Sequence, residues 1–149
     1  MKWPAVLILA GAMTPSCSDG SGPALPELHG TYVLSSKSGD PVPFPATCGS
    51  FIVENGSLTL GALGSATYEL QYRAAQNDSI YSYSSAGQFA QTGTNLRLNV
   101  TGRWSHHSQS TTTRFDFRIL ENGNALSLMV GAECDGADTE LYRRMGPLP

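Results

Sequence analysis

Apolar side chains recur at every second position through most of this chain, and that period admits little besides β-strands. Tyr68, Leu70 and Tyr72 alternate with Thr67, Glu69, Gln71 and Arg73. Leu96, Leu98 and Val100 alternate with Asn95, Arg97, Asn99 and Thr101, and Phe115, Phe117 and Ile119 with Arg114, Asp116 and Arg118. Successive strand residues point to opposite faces, so each run offers one apolar face to a core and one polar face to water. Shorter runs are Tyr32 with Leu34, Phe51 with Val53, Leu58 with Leu60, and Leu126, Leu128 and Val130. No window carries a helical stripe. Only 14% of residues are charged, against about 25% in an average domain, and Gly, Ser and Thr take up the difference.

Turn residues divide the runs. Glu54-Asn55-Gly56-Ser57 and Glu121-Asn122-Gly123-Asn124 read as hairpins through Asn-Gly, which tolerates positive φ. Gln76-Asn77-Asp78, Ser84-Ser85-Ala86-Gly87 and Thr92-Gly93-Thr94-Asn95 read as further turns. Gly39 to Thr47, with Pro41, Pro43 and Pro45, reads as a loop because proline cannot donate to a ladder. Ser105 to Ser110 reads as another. About eight or nine short strands joined by hairpins predict an all-β, antiparallel up-and-down meander closed into a barrel, with a sandwich as the other arrangement. A barrel of about eight strands is filled by its side chains or holds one small ligand.

The N-terminus has the pattern of an export signal. Lys2 supplies a positive charge and Ala5 to Met13 an apolar run, too short for the roughly 20 residues that span a bilayer. Residues 1–17 are therefore read as the signal, 18–27 as a flexible tether, 28–145 as the barrel domain and 146–149 as a tail. Cys17 follows the apolar run where a bacterial lipoprotein carries its acylated cysteine, with Ser16 before it. Cleavage after Ala10-Gly11-Ala12, which leaves Cys17 as a thiol, is the other outcome. Cys48 and Cys134 lie inside the domain and are the pair expected to form a disulfide in an oxidising compartment. The predicted location is the cell envelope, tethered to a membrane through an N-terminal lipid.

Gly30-Thr31-Tyr32 opens the first strand and Leu141-Tyr142-Arg143-Arg144 closes the last. This pattern resembles the lipocalin-like plan. With Asn55-Gly56 and Ser57 to Leu60, it is similar to small bacterial lipocalin-like lipoproteins over Leu28 to Arg144. Tyr32 stands where true lipocalins carry tryptophan. The resemblance implies a structural barrel floor in which the ring of Tyr32, next to Gly30, packs against an arginine of the final strand. If Leu141 points inward that arginine is Arg143; if Tyr142 does, it is Arg144.

The formal net charge of −3 argues against a nucleic-acid partner, which requires a basic face. Cofactor and metal sites are not expected. His106 and His107 are adjacent and would point apart on a strand, and the cysteines lack zinc spacing. Glu133, Asp135 and Asp138 around Cys134 lack a calcium-loop spacing. With no Gly-x-Ser-x-Gly elbow and no phosphate loop, the chain is not expected to be an enzyme. The expected function is binding of a small apolar ligand in the barrel, with Tyr68, Tyr72, Phe89, Phe115 and Phe117 as candidate walls. A packed barrel that serves as a structural or protein-interaction module is the alternative.

Overall fold

A computed structural model describes residues 26–46, 49–130 and 138–146. Ten strands run β1 Gly30–Lys37, β2 Asp40–Pro41, β3 Phe44–Pro45, β4 Phe51–Leu60, β5 Ser65–Ala74, β6 Ile80–Thr92, β7 Asn95–Trp104, β8 Thr111–Leu120, β9 Ala125–Val130 and β10 Asp138–Arg144. From β4 to β10 every strand pairs antiparallel with the next, β10 pairs with β1, and β1 pairs with β4. The eight longer strands thus form a closed meander barrel, which leaves no long exposed edge.

Alternation selects the inside. Tyr32, Leu58, Leu60, Tyr68, Leu96, Leu98, Val100, Phe117, Leu126 and Tyr142 are all at most 1–2% exposed. β1 pairs with β4 only from Gly30↔Leu60 to Val33↔Ser57. Beyond Val33 the two strands diverge, and the Asp40–Pro45 segment fills the gap, β2 on β1 and β3 on β4. A bulge between Leu34 and Ser36 shifts the phase of β1, so Lys37 faces inward, opposite Glu140. One extra residue exchanges the two faces of everything that follows it.

Three turn expectations are corrected. Asn55-Gly56 is not a hairpin: both residues lie within β4, paired with Gln71 and Leu70 after a bulge between Val53 and Asn55. Gly56 faces inward, where a Cβ would stand 2.7 Å from the Leu70 side chain and 3.2 Å from Leu34, so this glycine serves close packing. Ser84 to Gly87 is not a turn but the middle of β6. There the backbone of β7 lies so close to Gly87 that a Cβ would meet the Asn99 carbonyl at 2.0 Å. The proline tract carries the short β2 and β3 pairings, flanking a cis Val42–Pro43 bond. The turn at Ala62–Gly64, with Leu63 at φ 58°, lacks the Asn, Asp or Pro that would announce it.

Turns at Gln76–Asn77, Gly93–Thr94 and Glu121–Gly123 stand where expected, as does the loop 105–110. Cys17, Cys48 and Cys134, with the signal and most of the tether, lie outside the described residues.

Candidate functional site

The two ends of the barrel are built differently. At one end Pro26 to His29 runs beneath the strands and buries Leu28 against Gly123, leaving Leu28 2% exposed. Tyr32 is fully buried above it and donates its hydroxyl to the Gly123 carbonyl at 2.8 Å. Tyr142 is the inward residue of β10, so Arg144 faces this end, its guanidinium 5.9 Å from the centre of the Tyr32 ring. Arg144 also donates to the carbonyls of Glu27 and His29. The guanidinium lies over Gly30, where φ is +128° and a Cβ would sit 3.2 Å from Nε; glycine is required there on both counts. Arg143 points outward instead, to Glu121 at 3.0 Å. Burial raises the Tyr32 phenol above its ordinary value, with Arg144 opposing. This end is closed.

At the other end a cavity of about 300 Å³ opens between the ends of β5, β7 and β9 and the starts of β6, β8 and β10. Its wall is aromatic: Tyr68, Tyr72, Tyr83, Trp104 and Phe115, with Leu70 and Leu128 between them. The rings brace one another. Trp104 stands 5.3 Å from Tyr72 and 5.2 Å from Tyr83, and Tyr68 stands 4.7 Å from Phe115. Such contacts hold rings in place beyond what their buried area contributes. Gly102 lets β6 and β7 lie close together in this wall, since a Cβ there would meet Ser85 at 2.3 Å. Arg103, His107 and Gln109 stand at the mouth.

Glu140 lines this cavity and is only 5% exposed. Tyr142 donates to Glu140 Oε2 at 2.9 Å, and the Tyr68 and Tyr142 hydroxyl oxygens are 3.0 Å apart. Tyr142 has one proton and spends it on Glu140, so Tyr68 is the donor of the second bond. Burial pushes both phenols well up, which keeps them protonated as donors. Burial also raises the Glu140 carboxyl, with Tyr142 and Lys37 opposing. Lys37 Nζ stands 2.8 Å from Asp138 on the same side of the barrel. The Tyr83 hydroxyl is buried and, among the described residues, is the one buried side-chain polar atom without a hydrogen-bond partner.

Of the five candidate wall residues, Tyr68, Tyr72 and Phe115 line the cavity. Phe117 and Phe89 do not, which corrects their assignment. Phe117 is 2% exposed in the packed core beneath, against Tyr142 at 5.6 Å. Phe89 sits near the closed end, its carbonyl beside Gly64. Alternation tells which residues face inward but not how far along the barrel axis they lie. Trp104, Tyr83 and Glu140 were missed. The supposed turn in β6 detached Tyr83 from its strand, Trp104 lies past Gly102 beyond the apolar run, and the phase of β10 stayed open. Among the described residues no three His, Cys, Asp or Glu side chains cluster to hold a metal ion.

Comparison of the chain with protein-family models, with curated proteins and with solved structures finds no match in any of the three.

Proposed function

We propose that this protein is an exported lipocalin-like binding protein of the cell envelope that holds one small, largely apolar ligand in the open end of its barrel. The observation that carries this reading is the cavity of about 300 Å³ walled by aromatic rings. That volume is at the lower bound of about 300–1,000 Å³ typical of ligand sites, and a few polar groups in an apolar wall are their usual chemistry. A barrel whose only task was to pack would carry a larger side chain where Thr113 stands. Below the cavity the interior is filled, so the ligand is compact and enters from one end. The leader and Cys17 support tethering to a membrane by a lipid, and Cys48 and Cys134 support a disulfide, which in the chain-entropy account contributes about 4–5 kcal/mol for a loop of this length.

Trp104 gives the site its own reporter. The other tryptophan, Trp3, is silenced in a Trp3→Phe chain. Titrating that chain with the uncharged dye N-phenyl-1-naphthylamine should quench Trp104 and light the dye with one saturable site. Thr113→Trp, which places an indole in the cavity, should abolish this. Absence of saturable binding, or binding indifferent to Thr113→Trp, contradicts the proposal.

A further inference from the structure

We infer that the cavity selects an organic cation: a protonated amine on a flat apolar body, held by the Glu140 carboxylate and the surrounding aromatic faces. The inference rests on the reading of the cavity as a ligand site and adds the charge of the ligand.

Three features of the lining point the same way. First, the wall is dominated by Tyr68, Tyr72, Tyr83, Trp104 and Phe115. The face of an aromatic ring is the negative pole of its quadrupole, so a ring-lined space attracts a cation and is poor for an anion. Second, the charged side chain buried in that wall is an acid. Glu140 is 5% exposed, and an ionised carboxylate there is costly without a counter-charge. Lys37 lies opposite it across the β1–β10 ladder, yet the Lys37 ammonium stands 2.8 Å from the Asp138 carboxylate. Two carboxylates thus share that ammonium, and among the described residues Lys37, Asp138 and Glu140 together make one more acidic group than basic. A ligand ammonium restores the balance. Third, Tyr83 lines the same cavity, and its hydroxyl is buried without a hydrogen-bond partner. Its oxygen can accept from a ligand N–H, which satisfies a polar group that the chain itself leaves open.

The hydrogen bonds around Glu140 suit the same task. Tyr142 donates to one carboxylate oxygen, Oε2. Both phenols of the Tyr68–Tyr142 relay are held protonated by burial, so the relay acts as donor and stabilises the ionised carboxylate that an amine needs. Burial raises the Glu140 carboxyl, and a bound cation would oppose that shift. Arg103 at the mouth is the group that would favour an anion instead, but it is an exposed residue of β7, and an exposed guanidinium is well screened by solvent.

A ligand series of one body and three charges tests this on the full chain. Phenethylamine, phenethyl alcohol and 3-phenylpropionate are titrated by calorimetry at neutral pH. Phenethylamine should bind at least tenfold more tightly than phenethyl alcohol, and 3-phenylpropionate most weakly. In Glu140→Gln, checked by its melting curve, the ratio of amine to alcohol should fall to near one. If amine and alcohol bind equally to the unsubstituted chain, the charge selection is wrong and the apolar cavity reading stands. If 3-phenylpropionate binds best, the site is anionophilic and the inference is overturned. If none of the three binds and N-phenyl-1-naphthylamine also fails, the cavity reading itself falls.

Discussion

Replacing Tyr32 by alanine should cost more stability than almost any other single change in this barrel, and the structure supplies the reasons separately. The side chain is 0% exposed. A buried tyrosine removes about 150–250 Å² from water, which at about 25 cal/mol per Å² is an upper figure of about 4–6 kcal/mol. Core aromatic-to-alanine changes fall at about 3–5 kcal/mol because the site relaxes only in part. The substitution also strands the Gly123 carbonyl, which accepts from the hydroxyl at 2.8 Å. Tyr32→Phe isolates that second loss at about 1–3 kcal/mol. Urea titrations of the three chains by circular dichroism measure both values. The alanine variant should melt about 10–20 °C lower, given a few degrees per kcal/mol for a domain of this size. An alanine variant within about 1 kcal/mol of the unsubstituted chain would refute the reasoning, as would one that kept its stability but lost a ligand, since the floor would then be a binding site.

Burial raises the Glu140 carboxyl, so the folded chain holds that proton more tightly than the unfolded chain, and stability falls as pH rises from the unfolded value towards the folded one. Glu140→Gln removes this slope: its melting temperature relative to the unsubstituted chain should climb from pH 4 to neutrality, and a constant or shrinking difference contradicts the burial. Gly102→Ala places a Cβ 2.3 Å from Ser85 and 2.4 Å from the Ser84 carbonyl, so it should destabilise by about 1–3 kcal/mol, as overpacking does; a neutral result in urea titration would show that β6 and β7 can separate freely. Thiol titration of the exported protein should find Cys48 and Cys134 unreactive until reduced, and reaction of both in native protein would exclude the disulfide. Mass spectrometry of the mature N-terminus should find Cys17 lipid-modified, against an unmodified start at Met13.

Most of the barrel could be read from alternation, because β5, β7 and β8 are regular and their inward residues are large and apolar. The errors arose where one residue type serves two purposes. Asn55-Gly56 and Gly87 carry turn chemistry, but inside a narrow barrel a glycine also admits a neighbouring strand or side chain. Bulges are equally silent. Simple alternation from Leu34 points Ser36 inward, whereas the extra residue in β1 points Lys37 there and brings it opposite Glu140. The floor illustrates a different limit: an arginine of β10 was expected against Tyr32, but the choice between Arg143 and Arg144 depended on a strand phase that Leu141 and Tyr142, both apolar-bodied, left open. For the cavity, Tyr68, Tyr72 and Phe115 were legible as inward, while their separation from Phe117 and Phe89 required the stagger of the strands.

The central claim is that the open end of the barrel is a site and not a packing defect. Crystals of the full chain grown with N-phenyl-1-naphthylamine test it most directly. Density for one dye molecule should lie between Trp104, Tyr83 and Phe115, above an unchanged Tyr32 floor. Trp104 and Tyr83 folded into the cavity with the dye absent, or bound only on the outer face of the barrel, would contradict it.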